Sequence, residues 1–115
     1  MDLPPIISVM RSAEQNLTSL QLSIHAGLDG FDGHFDGAPI VPGVLQIHWA
    51  LQFANQYLKP VSPFEIASME AVKFQQVMTP GIEVKLDLEL TNGKLVFMFS
   101  SPEKRYSSGK IAISA

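Results

Sequence analysis

The chain contains no cysteine. That absence excludes a disulfide framework, a thiolate nucleophile and a zinc–thiolate centre. Long apolar runs are missing as well, every stretch falling far short of the roughly eighteen residues that span a bilayer, so no membrane helix is expected. The opening MDLPPII lacks the charged-then-apolar order of a secretory signal, which makes the cytoplasm the expected location. Positive charge is scarce: eight Lys and Arg against eleven Asp and Glu give a net charge of −3. The basic residues are scattered and form no stripe, so nucleic acid is not an expected partner. Internal repeats, charge blocks and low-complexity linkers are likewise absent.

What is present is a globular balance, 46% apolar against 17% charged over 115 residues. A chain of this size folds as a single domain, residues 1–115, and buries roughly two thirds of its unfolded surface. The apolar share is high for so small a domain, and the surplus points to a buried subunit interface.

The clearest local signal is EVKLDLELTNGKLVFMF, residues 83–99. Val84, Leu86, Leu88 and Leu90 alternate with charged residues, the period of a strand with one buried face. Asn92-Gly93 supplies the positive φ angles of a two-residue hairpin turn. That turn sets Leu90 opposite Leu95, Leu88 opposite Phe97 and Leu86 opposite Phe99, so both strands present one apolar face. The other face pairs Glu89 with Val96 and Asp87 with Met98. LTSLQLSIHA (residues 17–26) reads as another one-sided strand, with His25 on its polar side. Further strands are predicted over residues 66–78 and 6–10, and YSSGKIAIS returns after a turn at Pro102, with Gly109 as an expected bulge.

One long helix is predicted from about Gly43 to Leu58. Pro42 suits a helix entrance and Pro60 forbids continuation. Apolar residues cover most of its circumference, so it is expected to be almost wholly enclosed. Its polar residues His48, Gln52, Asn55, Gln56 and Lys59 gather on one narrow stripe. The fold class that results is α+β: one central helix wrapped by a curved, mostly antiparallel sheet of five or six strands.

The loop before this helix is rich in Asp-Gly steps, which invites a calcium reading. The spacing rejects it: counting from Asp29, the ligand places are held by Phe31, Gly33 and Ile40. The three histidines offer no metal-ligand spacing, and neither a phosphate-binding nor a dinucleotide-binding glycine pattern is present. No metal and no cofactor are expected.

Taken singly, His34 reads as a turn residue and His48 as a point on the helix's polar stripe. The joint pattern Gly33-His34-Phe35-Asp36-Gly37-Ala38-Pro39-Ile40-Val41-Pro42-Gly43-Val44-Leu45 resembles the active-site signature of the hot-dog-fold 3-hydroxyacyl-acyl-carrier-protein dehydratases, the FabA/FabZ type. VKFQQVMTPGIEVKLDLEL, residues 72–90, is similar to the family's K-F-x-x-P-V-x-P-G-D segment, departing from it at Val77-Met78-Thr79 and Ile82. Within the superfamily the short chain and PGVLQIHWA, with Gln46 and Trp49 flanking His48, look most like the ApeI-like dehydratases of aryl polyene synthesis.

The resemblance implies a reaction and its residues. Eliminating water from a 3-hydroxyacyl thioester needs a base for the proton beside the carbonyl, an acid for the departing hydroxyl and a donor to the thioester oxygen. By position in the motif His34 matches the catalytic histidine, and the N–H of Gly43 matches the carbonyl donor. Phe35, Pro42, Val44 and Gln52 are the expected substrate-binding residues. Where the family carries Glu or Asp, fourteen residues after the histidine, this chain has His48. If the two histidines converge, like-charge repulsion opposes double protonation, and one proton shared between them divides the base and acid roles. Asp32 or Asp36 is a candidate to hold one ring charged.

In the relatives the two catalytic side chains come from different subunits, which implies an obligatory homodimer. The implied substrate is a 3-hydroxyacyl group on an acyl carrier protein, for which Lys104, Arg105 and Lys110 are the candidate docking residues. Two other readings stay open. A hot-dog thioesterase would hydrolyse the same thioester, and a catalytically silent acyl-binding or partner domain would account for the loss of the acid at position 48.

Overall fold

The computed structural model describes residues 3–12, 17–24, 40–58 and 64–114. His25, Asp32, His34, Phe35, Asp36 and Lys59 lie outside the described residues. In chain order the elements are β1 (Ile6–Ser12), β2 (Leu17–Ile24), α1 (Gly43–Tyr57), β3 (Glu65–Met69), β4 (Lys73–Phe74), β5 (Ile82–Thr91), β6 (Lys94–Ser100) and β7 (Arg105–Ser114). All pair antiparallel in one sheet of order β1-β2-β5-β6-β7-β3, and β4 joins it against β7. Among the described residues, one helix against one antiparallel sheet is the α+β, hot-dog arrangement expected from the sequence, with seven strands where five or six were anticipated.

The central strands follow the physics of a half-buried sheet. β2 buries every second residue, with Leu20 and Leu22 at 0% exposure, and β5 and β6 continue the same face. The β5–β6 register is the one the turn dictates: Leu90 opposite Leu95, Leu88 opposite Phe97, Leu86 opposite Phe99. Asn92 (φ 52) and Gly93 (φ 73) carry the two positive φ angles that such a turn requires. Onto this face packs α1, burying Leu45, Ile47, Trp49, Ala50, Phe53 and Ala54 in the same core. Its last turn closes with the Leu58 N–H donating to the Ala54 carbonyl at 2.9 Å. Asn55, from the polar stripe, turns inward to accept the N–H of Phe64 at 2.7 Å.

Two details differ from the sequence reading. The strand expected across residues 66–78 is broken into β3 and the two-residue β4, and residues 75–81 run outside the ladders. Periodicity missed this because Thr79-Pro80-Gly81 was the only breaker visible, whereas backbone bonds to other segments redirect the chain earlier. The bulge expected at Gly109 is also absent: Gly109 lies in register opposite Phe97, and the irregularity falls between Phe99 and Ser100. Close packing explains this glycine. A Cβ there would stand 2.5 Å from Phe97 Cε2 and 3.1 Å from a Val72 methyl.

Because the Phe97 ring is 1% exposed, it has nowhere to retreat. Gly109→Ala is therefore expected to cost about 1–3 kcal/mol of stability, an overpacking penalty that urea unfolding of the variant against the parent will measure.

Candidate active site at the helix entrance

The helix begins at a corner that leaves donors free. Pro42 is the N-cap with φ −60° and ψ 147°; it has no capping hydrogen bond from a side chain, and the first turn carries no acidic residue. The Pro42 carbonyl accepts the N–H groups of Leu45 (3.1 Å) and Gln46 (3.2 Å). The N–H groups of Gly43 and Val44 have no intrahelical partner, and the aligned peptide dipoles favour negative charge beside them.

This corner opens on a cleft of about 380 Å³ lined on one side by Val41, Pro42, Gly43 and Gln46 and on the other by Phe74 to Met78. Beyond Phe74 the far wall has no ladder of its own, so it is held by individual backbone bonds. The N–H groups of Gln75 and Gln76 donate to the Tyr106 carbonyl at 2.9 and 3.3 Å, and Gly81, at φ +92°, donates to the Ile24 carbonyl at 2.7 Å. The Met78 carbonyl accepts the Val41 N–H at 2.7 Å and ties the two walls together. Phe74 stands over the corner, half exposed at 52%, and a Cβ on Gly43 would lie 2.6 Å from its Cζ. Only glycine lets the ring sit that close to the free amide.

The expected site residues divide by location. Gly43 and Pro42 line the cleft. Val44 is 76% exposed and points away from the core, outside the cleft lining. His48 and Gln52 are half-buried, one turn apart on the helix, and neither lines the cleft. The phase of the helix is the reason: five residues rotate by about 500°, which sets His48 about 140° around the axis from Gly43. His34 and Phe35 lie outside the described residues. Among the described residues, no cluster of three His, Asp or Glu is positioned to hold a metal.

Sequence reasoning did not assign roles to Phe74, Gln46, Met78 or Ser107. Phe74 faces Ser107 across the β4–β7 pair, and Ser107, 0% exposed, donates its hydroxyl to Gln46 Oε1 at 2.7 Å. The signal in the sequence was a glutamine inside an otherwise apolar helix turn.

The comparisons with known proteins agree with a hot-dog domain. The family model of the ApeI-like proteins, ApeI dehydratase, matches residues 10–110, and the chain belongs to that family. Among solved structures, the ApeI:P dehydratase heterocomplex of Xenorhabdus doucetiae aligns with a TM-score of 0.87 at 32% identity, over 97% of this chain and 98% of that one. An uncharacterized protein of Erwinia carotovora subsp. atroseptica aligns with a TM-score of 0.77 at 30% identity, over 98% of this chain and 97% of that one. The 3-hydroxyacyl-[acyl-carrier-protein] dehydratase FabZ of Legionella pneumophila (strain Corby) is 34% identical over 93 residues, covering 74% of this chain. The match spans about three fifths, 61%, of that relative's length.

Gly43→Ala separates fold from site. The half-exposed Phe74 ring is free to swing outward, so the thermal midpoint is expected to stay within a few degrees of the parent. The displaced ring and altered corner are expected to weaken binding of an acyl-pantetheine ligand by about tenfold or more, measured by calorimetric titration.

Proposed function

We propose that this chain dehydrates 3-hydroxyacyl thioesters carried on an acyl carrier protein to trans-2-enoyl thioesters, in fatty-acid or aryl-polyene-type synthesis. The observation that carries the reading is the Gly43 N–H, without a partner among the described residues, at the head of a helix packed on the sheet and opening on a cleft large enough for the end of a pantetheine-linked acyl group. In the reaction the His34 imidazole takes the proton from the carbon beside the carbonyl. Gly43 donates to the thioester oxygen as negative charge builds there. The His48 imidazolium gives its proton to the hydroxyl on the next carbon, which leaves as water. After release of the enoyl product, the proton held by His34 restores the starting state by passing to His48.

The helical phase bears on how this site is assembled. A His48 side chain 140° around the axis from Gly43 serves a different surface from its own chain's cleft, so we assign it to the cleft of a second subunit in a homodimer. Edge strand β3 supports an interface of this kind: it is exposed along its whole length and carries Ile66 and Met69 outward. The carrier protein is acidic in this reading, and Arg105 and Lys104 are suited to meet it, because the neighbouring Tyr106 carbonyl anchors the cleft wall at Gln75 and Gln76. We assign the work to the cytoplasm, where such carriers act; no helix among the described residues is long and apolar enough to cross a membrane.

The test is turnover of a 3-hydroxyacyl-pantetheine or carrier-protein substrate by the parent, His34→Ala and His48→Ala. Parent activity is expected, with each substitution lowering kcat by at least about a hundredfold. Mixing the two inactive variants after unfolding and refolding is expected to restore roughly a quarter of parental activity, because half the dimers are mixed and each mixed dimer rebuilds one of two sites. No rescue on mixing would place both histidines in one chain's site. Release of free acid would mark a thioesterase, and no turnover at all would mark a silent acyl-binding domain. A native mass above one chain only after addition of a different protein would replace the homodimer by an assembly of unlike chains, such as the Xenorhabdus heterocomplex.

A further inference from the structure

The helix entrance is held by a buried polar connection that no step of the proposed chemistry uses. Gln46 is 3% exposed and Ser107 is 0% exposed, on the first turn of α1 and on β7. The Ser107 hydroxyl donates to Gln46 Oε1 at 2.7 Å, and Gln46 Nε2 donates to the Val41 carbonyl at 3.2 Å. The same Val41 residue donates its N–H to the Met78 carbonyl at 2.7 Å. Val41 is thus gripped on both sides, immediately before a proline whose φ is fixed by its ring.

Burying an amide side chain and a hydroxyl costs free energy unless both are hydrogen-bonded, so their presence in an apolar core calls for a return other than burial. A leucine at position 46 with an alanine at 107 would fill the same space with neither side-chain polar group to satisfy. The return is directional. Once the Val41 carbonyl and the Pro42 φ are set, the only torsion left before the Gly43 amide is the Pro42 ψ, which the bonds from the Leu45 and Gln46 N–H groups to the Pro42 carbonyl hold. Small rotations of the Val41–Pro42 peptide would otherwise swing the Gly43 N–H across the cleft.

We infer that Gln46, braced by Ser107, is a positioning residue that aims the Gly43 N–H at the carbonyl oxygen of the bound acyl thioester. Its effect runs entirely through the backbone: Gln46 fixes the Val41 carbonyl, the corner at Pro42 follows, and Gly43 is presented to the cleft in one orientation. Position 46 therefore acts on the quality of the oxyanion contact more than on the holding of the acyl chain, and its kinetic signature is a loss in kcat with little change in KM. The kinetic half of this inference rests on the dehydratase reading; the structural half does not.

The experiment pairs kinetics with glycine-selective ¹⁵N labelling. The chain has eight glycines, and the Gly43 signal is identified by its loss in Gly43→Ala. The ligand is the pantetheine amide of 3-hydroxyoctanoic acid, which presents the carbonyl and cannot be hydrolysed as a thioester. The proteins are the parent, Gln46→Leu, Gln46→Glu, Ser107→Ala and the double variant of Gln46→Leu with Ser107→Ala.

In the parent the Gly43 signal is expected to move when the amide binds. Gln46→Leu is expected to lower kcat about tenfold with KM within about twofold, and to shift the Gly43 signal before any ligand is added. Gln46→Glu keeps the acceptor for Ser107 but loses the donor to Val41, so its loss should match that of Gln46→Leu. Ser107→Ala should show a smaller loss that does not add to that of Gln46→Leu, since both act through one contact. Leu88→Ala, destabilised in the sheet core far from the corner in sequence, is the control for plain loss of stability.

Parental kcat and an unmoved Gly43 signal in Gln46→Leu would overturn the inference while leaving the dehydratase reading intact. An equal fall in kcat for Leu88→Ala would also overturn it, reducing Gln46 to a stability role. A parent without turnover, whose Gly43 signal responds to the amide in a Gln46-dependent way, would overturn the dehydratase reading and uphold the positioning role. Silence of the Gly43 signal in every protein would overturn both.

Discussion

A helix that buries one face against a sheet still has to end, and its first amides have no partner inside the helix. In this protein the whole functional arrangement depends on how that one end is held. Pro42 contributes no N–H and no capping group, so the corner leaves the Gly43 N–H unspent. An unspent donor is useful only if it points somewhere fixed. The Val41 residue supplies that fixity through its bonds to Met78 and Gln46; Gln46 is in turn tied to the sheet through Ser107, and Met78 is buried in the core.

The sheet has two tasks that use different chemistry. Its central strands supply a continuous apolar face, with Leu86, Leu88, Phe97 and Phe99 at 0% or 1% exposure, and this face seats the helix. Beyond β4 the chain leaves the ladder and becomes the far wall of the cleft, held by separate backbone bonds to Tyr106, Val41 and Ile24. Two glycines show the difference. Gly109 meets a trapped aromatic ring and belongs to the packing of the sheet, whereas Gly43 meets a half-exposed one and belongs to the cleft.

The placement of His48 follows from helical geometry alone. Five residues beyond Gly43, it faces away from its own cleft and toward whatever covers the other side of the helix. A histidine in place of a carboxylate changes the chemistry available there, from an oxygen group to an imidazole with two ring nitrogens. The apolar surplus of the chain is seen outward at Ile66 and Met69.

Local rules were enough to read much of this from the sequence. Period-two alternation and Asn92-Gly93 determined the β5–β6 register residue by residue, because a two-residue turn and a one-sided apolar face leave a single consistent pairing. Pro42 and Pro60 bounded the helix to within a residue of its observed end, and the glycine-proline motif pointed to Gly43, which lines the cleft. Other features depend on contacts between segments far apart in the chain. The break between β3 and β4, the packing reason for Gly109 and the approach of Phe74 to Gly43 are set by neighbours that periodicity does not contain. The pairing of Gln46 with Ser107, sixty-one residues away, is of the same kind: the sequence shows a polar residue on an apolar helix, and only the tertiary structure supplies the buried hydroxyl and backbone carbonyl that satisfy it.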